Sequence, residues 1–415
     1  MSLCRLAIAV SLEWHLLKGL KGNVFAKRTH WELVVNRYTE AVARFKAAHR
    51  ELLDLTVSNP TDCELTYRGD VLLSTFQNPG ALHYDPQPKG LLSAREAVAS
   101  YYREHLPDSA APLNPENILL TTSTSEAYSF IFRLLCEAGD EVLIAQPSYP
   151  LFEFLAEICD VKLVRYPLVY DYGWQIDFHG LEKAIGKKTK AVVVVHPNNP
   201  TGSYVKVEER ARLSAWCAER ELAIIADEVF LDYPLERESE RAPSFCTGKE
   251  ALTFSLSGLS KISGLPQMKV AWLVGSGPAL LVTEAMSRLE VISDTYLSLS
   301  TPAQLALPPL LEERRSFQAQ LQSRLRLNLR ELDAQLQRQS HCSRQRVEGG
   351  WNAVLRVPAI RTDEELAIAL LESEGVLVQP GHFYDFPSEG YLVLSLITPP
   401  QILEAGLQRL LRFLN

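Results

Sequence analysis

Residues 252–272, LTFSLSGLSKISGLPQMKVAW, place Lys261 at the end of an apolar run. Lys261 stands next to Ser260 and two residues before Ser263, in a turn rich in serine and glycine. Turns of this kind let backbone amides approach an anion closely. A lysine held there, beside an apolar strand, can be desolvated enough to act as an amine nucleophile, the chemistry that condensation with a carbonyl requires. A lysine in a polar turn is also a common solvated surface residue. Its neighbours in the fold therefore decide between the two readings.

Three further segments supply candidate neighbours. AIIADEVFLDY (223–233) runs four apolar residues into Asp227; a strand that apolar is buried on both faces. A carboxylate at its end is costly unless paired, which suits a counter-ion for a cationic ring nitrogen as well as an ordinary loop cap. AVVVVHPNNPTG (191–202) breaks at Pro197 and Pro200, and its turn formers Asn198, Asn199, Thr201 and Gly202 make a tight strand-to-helix turn in which an asparagine amide can be aimed at a ligand oxygen. ENILLTTSTSEAYSFIFRLL (116–135) passes from a short strand through Thr121, Thr122, Ser123, Thr124 and Ser125 into an apolar helix. Hydroxyls and free amides at a helix N-terminus form a phosphate site; the plain alternative is an N-cap with Glu126 as first-turn acid.

The elements that must position these groups follow from periodicity. Strands are expected at 118–121, 142–146, 161–164, 191–196, 223–227, 251–256 and 270–274, with helices at 91–105, 125–138, 149–158 and 206–220 between most of them. This alternation predicts an α/β fold with a mostly parallel seven-stranded sheet. Each candidate group falls just past the C-terminal end of a strand, where open α/β sheets bind ligands. Residues 31–53 read as a helix leading into a strand. Residues 311–340 read as one long helix with Leu321, Leu325, Leu329, Leu332 and Leu336 on one face. Strands at 351–357, 376–378 and 391–396, with helices at 363–374 and 400–413, make a smaller α+β domain. The expected organisation is an N-terminal extension (1–30), the first part of the small domain (31–62), a large domain (63–300), and the rest of the small domain (301–415).

Composition sets limits. The chain has 415 residues, enough for two domains, with 22% charged residues and a net charge of −8. That balance argues against a general nucleic-acid binder. Seven cysteines are scattered without metal-ligand spacing, so no metal is expected and a reducing, cytoplasmic setting fits. The apolar run Leu6–Leu12 is followed at once by Glu13 and is too short to span a membrane.

Taken together, the chain resembles the fold-type I pyridoxal-phosphate (PLP) enzymes, and within them the class I/II aminotransferases. The stretches that carry the resemblance are SNPT (58–61), HYDPQPKGLLSAREAVASYY (83–102), TTSTSEA (121–127), QPSYPLF (146–152), HPNNPTG (196–202), ADEVF (226–230), SGLSKISGLPQMK (257–269) and GHFYDFPSEGYLVLS (381–395), in the family's order. The resemblance implies that Lys261 forms the Schiff base and shuttles protons, that Asp227 keeps the pyridine nitrogen protonated, and that Asn199 donates to the ring's O3′. It implies Tyr149 stacked on the ring and Thr122, Ser123, Thr124 and Ser260 on the phosphate, with Lys269 beside them. Tyr84 would reach the phosphate of a neighbouring subunit, which implies a homodimer with active sites at its interface. Ser58 and Asn59 would lie near the substrate. The implied reaction moves an amino group between an amine or amino acid and a keto acid. A PLP lyase or decarboxylase is the alternative, and a non-catalytic PLP-binding regulator a more distant one.

Several positions depart from the family pattern. The tyrosine usual three residues after the aspartate is Phe230, the phosphate-binding arginine is Lys269, and the glycine near the substrate carboxylate is Ser58. The arginine that grips the substrate α-carboxylate is Val393. A lysine keeps the charge but loses the bidentate fork, and a valine cannot pair with a carboxylate at all.

Overall fold

The computed structural model describes residues 24–31, 35–150, 152–236, 240–297 and 299–415. Most of the expected N-terminal extension, residues 1–23, lies outside them. Strands, in chain order, are β1 Leu53–Asp54, β2 Ile118–Thr121, β3 Glu141–Gln146, β4 Lys162–Tyr170, β5 Trp174–Ile176, β6 Thr189–Val195, β7 Ala223–Asp227, β8 Thr253–Gly258, β9 Ala271–Ser276, β10 Ser343–Arg344, β11 Asn352–Arg356, β12 Val376–Leu377, β13 Gln379–Pro380 and β14 Tyr391–Ser395. Helices are α1 Arg37–Ala47, α2 Gly69–Ser74, α3 Leu92–Arg103, α4 Thr124–Leu135, α5 Phe152–Ile158, α6 Phe178–Ala184, α7 Val207–Glu219, α8 Leu259–Ile262, α9 Ala279–Thr295, α10 Thr301–Leu336, α11 Asp363–Glu374 and α12 Pro400–Leu414.

The chain divides into two compact units. The larger comprises residues 65–322 and 346–350, and the smaller residues up to 64, 323–345 and 351–415. The larger unit holds an eight-stranded sheet in the order β2-β9-β8-β7-β6-β3-β4-β5. Pairs β8·β7, β7·β6, β6·β3 and β3·β4 are parallel; β2·β9, β9·β8 and β4·β5 are antiparallel. The eighth strand, β5, was not among the seven expected. Pro167 made β4 look finished early. In the structure β4 pairs with β3 as far as Pro167 and with β5 from Leu168 onward. A residue without an N–H is thus placed where the strand changes partner.

Alternation along the strands sorts side chains to two faces. Ile144, Val193, Ile225, Phe254 and Leu273 pack with Tyr128, Phe132 and Phe152 of α4 and α5. Val192, Val194, Ile224 and Ala226 face the other way, with Leu213 and Cys217 of α7. Ile118, Leu120, Trp272 and Val274 join a third cluster with Ala303, Ala306, Leu307, Leu310 and Leu311 of α10.

That third cluster explains the main difference at helix level. The helix expected from 311 begins at Thr301 and runs through Pro308 and Pro309. Two prolines cost helix hydrogen bonds, but burial of five apolar side chains in the same stretch offsets the loss, each contributing about 1–3 kcal/mol when large. Farther along, Leu321, Leu325 and Leu332 are fully buried, and Asn328 and Gln335 share their stripe. Asn328 donates from its amide nitrogen to the carbonyls of Leu396 and Thr398, each at 2.8 Å, so the donor end of this buried side chain is satisfied.

The smaller unit has the antiparallel order β10-β11-β14-β13 and a separate parallel pair, β1·β12. Helix α11 starts in a capping box between Thr362 and Glu365 and stops at Gly375, whose φ of 70° is left-handed.

Candidate functional site

Strand directions assemble one edge of the large sheet. Strands β3, β6, β7 and β8 are parallel, and β2 is antiparallel to β9, which is antiparallel to β8. The C-terminal ends of β2, β3, β6, β7 and β8 therefore lie on the same edge, and β9 starts there. Register makes this specific: Val195 pairs with Asp227 and Asp227 with Leu256, while Gly258 and Thr121 both pair with Ala271. The loops bearing Thr122–Thr124, Tyr149, Asn199, Asp227, Ser260, Lys261 and Lys269 all leave from this edge.

Asp227 is the centre of the arrangement. By alternation it leaves β7 on the side of Ile225, towards α4. Its Oδ1 accepts the Val229 N–H at 3.2 Å and its Oδ2 accepts the Tyr128 hydroxyl at 3.2 Å. Burial pushes its carboxyl up to about 6, against the opposing pull of the Val229 amide, the Tyr128 hydroxyl and the nearby Lys261 amine. Tyr149 lies within electrostatic reach: burial, then the charge of Asp227, raises its phenol to about 12. The ring of Phe152 meets Tyr128 edge-on at 5.1 Å and Tyr149 edge-on at 6.2 Å, joining the acid's partner to the stacking residue.

The lysine turn is held by backbone. The Leu259 amide donates to Val270 O at 3.0 Å, and the Tyr233 hydroxyl donates to the Lys261 carbonyl. Gln318 of α10 donates to Ile262 O at 3.0 Å. A Cβ on Gly258 would lie 2.8 Å from Val270 O, so only glycine permits this close turn. Lys261 Nζ stands 5.7 Å from the centre of the Phe230 ring. Phe230 itself is buried and brings no hydroxyl to this spot. Lys269 is exposed and has a left-handed backbone, φ 54°.

In the NNPTG turn the two asparagines divide their work. Asn198 is buried, and its Oδ1 accepts the Thr201 hydroxyl at 2.9 Å. Asn199 is only half-buried at the sheet edge. Gly202, at φ 70°, lies so close to Gly349 that a Cβ would come within 2.5 Å of its carbonyl. His196 is a structural residue. It accepts the Val205 N–H at Nδ1 and donates from Nε2 to Ala242 O, both at 3.1 Å. Burial pushes its imidazole down to about 3, so it stays neutral.

At α4, Ser123 caps the helix by accepting the Glu126 N–H at 3.1 Å, and the Glu126 carboxylate accepts the Thr122 N–H at 2.7 Å. The acidic cap expected as the plain reading is therefore present. Thr122, Ser123 and Thr124 are half-buried around it, with the first-turn amides that no helix carbonyl reaches. Tyr84 is 73% exposed.

Ser58, Asn59 and Val393 belong to the smaller unit. Ser58 is exposed. Asn59 is tied to its own turn, donating to Asp62 at 2.8 Å and accepting the Thr61 hydroxyl at 2.8 Å. Val393 is 1% exposed and pairs with Val354 and Gln379. Arg356, in the strand that pairs with β14, lies over the Tyr391 ring at 4.4 Å and donates to Glu389 O at 2.6 Å. Arg37 is exposed on α1.

Tyr128 and Phe152 did not stand out in the sequence. Within AYSFIFRLL an aromatic run reads as core, and only the polar tip of a tyrosine on an otherwise apolar helix face hints at a buried partner. The donor set fits a pyridoxal phosphate: a buried carboxylate for a cationic nitrogen, an amine, an aromatic face, a half-buried amide, and hydroxyls with a lysine for phosphate, all on one edge.

The sequence profile described as "Aminotransferase class I and II" matches residues 51–410. An alanine aminotransferase of Mycobacterium tuberculosis is 27% identical over 97% of this chain and 96% of its own length. A glutamate-pyruvate aminotransferase of Haemophilus influenzae is 25% identical over 90% of this chain and 93% of its own. Among solved structures, an alanine aminotransferase from Pyrococcus furiosus superposes with a TM-score of 0.81 at 22% identity, covering 94% of this chain and 99% of that one.

Proposed function

From the premise that this chain belongs to the class I and II aminotransferases, and so is a transferase of a PLP-using family, we propose that its own residues work as follows. The observation that carries the reading is the convergence of Lys261, Asp227, Asn199 and Thr122–Thr124 on one sheet edge, fixed by strand register.

Bound PLP supplies an aldehyde carbon that condenses with amines and a cationic ring that draws electron density from the carbon losing its proton. Asp227, buried and ionised, holds the proton on the ring nitrogen. Lys261 would hold the cofactor through its amine, and that amine, once freed by the substrate amine, would move the proton from the substrate Cα to the former aldehyde carbon. Tyr149 packs on the ring face, and the Asn199 amide donates to O3′. Thr122, Ser123, Thr124, Ser260 and Lys269 hold the phosphate, with Tyr84 supplied by a second copy of the chain. Ser58 and Asn59 lie towards the substrate. The cytoplasm is the proposed location, from cysteine usage.

The named relatives favour an α-amino acid and a keto acid as the exchanging pair, with transamination ahead of elimination or decarboxylation. The test is direct. The purified protein should be yellow, and borohydride should fix the cofactor to the Lys261 peptide. Lys261→Ala should bind PLP without this linkage and lose at least about 10³-fold in turnover, the scale expected when a nucleophile is removed. A parent protein that takes up no added PLP would overturn the reading.

A further inference from the structure

Among the described residues, Asp227 accepts hydrogen bonds from one backbone amide and one side chain. The Val229 amide is local backbone that any residue would provide. The Tyr128 hydroxyl is supplied from α4, across 99 residues of sequence, and is buried with its ring against Phe152. We propose that Tyr128 is a positioning residue for the acid that holds the ring nitrogen: its hydroxyl fixes the Asp227 carboxylate and lowers its basicity, so that the proton stays on the cofactor. This rests on the PLP reading above.

The physical argument concerns where a shared proton resides. A carboxylate and a pyridine facing each other compete for one proton. A donor on the carboxylate stabilises its charged form and leaves the proton on the ring, which makes the ring the stronger electron sink. Tyr128 can fill that role at any working pH. Burial and the adjacent Asp227 charge raise its phenol well above the ordinary value, so it remains a donor. The other groups facing Asp227 are the Val229 amide, the Lys261 amine and the Tyr149 phenol. The Lys261 amine would be engaged with the cofactor once PLP is bound, whereas the Tyr128 hydroxyl donates to Asp227 directly. The Phe152 contact gives the same residue a second tie, to Tyr149 on the ring face.

The sign of the pH effect follows. Removing the hydroxyl raises the proton affinity of Asp227, so the acid limb of PLP association moves to higher pH. The experiment compares three holoenzymes: the parent, Tyr128→Phe, and protein with 3-fluorotyrosine in place of Tyr128, a stronger donor. Each is loaded with ring-¹⁵N PLP. Tyr128→Phe keeps the ring packing. Its nitrogen resonance should move towards the unprotonated pyridine value, the midpoint of PLP association should rise by about one pH unit, and turnover should fall about tenfold, the scale of one hydrogen bond to a charged group. The fluorinated protein should shift the resonance the opposite way, which keeps the test decisive if Tyr128→Phe folds poorly. Identical resonances and midpoints in PLP-loaded proteins would overturn the role of Tyr128, even if Tyr128→Phe melts earlier. A parent that shows no bound resonance at all would overturn the PLP reading and this inference with it.

Discussion

Val393 is the residue with the most to say about substrate. By the family resemblance it stands at the position of an arginine, and it is buried in β14 between Val354 and Gln379. A carboxylate held against apolar surface without a partner costs several kcal/mol, on the order of 2–5. Arg356 is engaged with Tyr391 and Glu389. The expected outcome is weak discrimination for an α-carboxylate. Measured as kcat/KM with a common keto acid, L-alanine should exceed ethylamine by no more than about tenfold. An advantage above about 100-fold would mean that another cation grips the carboxylate. The sequence singles out Asp227 and Lys261 because each ends an apolar run, although a loop cap and a solvated lysine are the plain readings of such positions, and Val393 is conspicuous only against a family pattern. Tyr128 was not readable, because a tyrosine in an apolar helix face carries no sign of which distant carboxylate it will meet. Asn198 and Asn199 were equally opaque: adjacent and identical in type, they differ only in which one the turn buries.

At the scale of elements, strong periodic segments were legible and junctions were not. The strand at 118–121, the strand at 223–227 and the helix at 363–374 fall where apolar pattern and caps put them. The β4–β5 hairpin and the start of α10 were hidden by proline, a local signal that tertiary packing overrode. Proline 308 and 309 also give a test. Pro309 is exposed, so Pro309→Ala removes no packing. It restores an N–H to the helix ladder and removes a ring that crowds the preceding turn, worth about 3 kcal/mol in an unstrained helix. A gain of rigidity in the unfolded chain is lost, worth about 0.4–1 kcal/mol. Urea titration should show Pro309→Ala more stable by about 1–2 kcal/mol. An unchanged or lower midpoint would show that α10 needs the local bend.

For the whole molecule, net charge and exposed surface bear on assembly. The chain carries −8, and no helix among the described residues is long and apolar enough to cross a membrane. Tyr84 is 73% exposed and Leu82 94% exposed, in a segment whose family resemblance implies a subunit contact. Light scattering should give about 93 kDa, twice the 46.5 kDa chain, at micromolar concentration. Tyr84→Phe should leave that mass unchanged and speed PLP release about tenfold, one charge-assisted hydrogen bond. A stable monomer that retains PLP as firmly as the relatives' fold would suggest removes Tyr84 from the site.

The division of the chain also has a consequence for its making. Leu53 in β1 pairs with Val376 in β12, and the Leu55 carbonyl accepts the Ser395 amide at 2.7 Å. A ribosome thus releases the first strand of the smaller unit about 320 residues before its partner exists, an interval of roughly 15–60 s at ordinary synthesis rates. Residues 65–322 and 346–350, the larger unit, are also complete before Val376 is made. During that wait the early segment is an unpaired strand edge. Slowing translation should therefore harm the yield of this protein, and a circular permutant that opens at Glu64 and joins the old termini should shorten the exposure, since it delivers both halves of the smaller unit in succession.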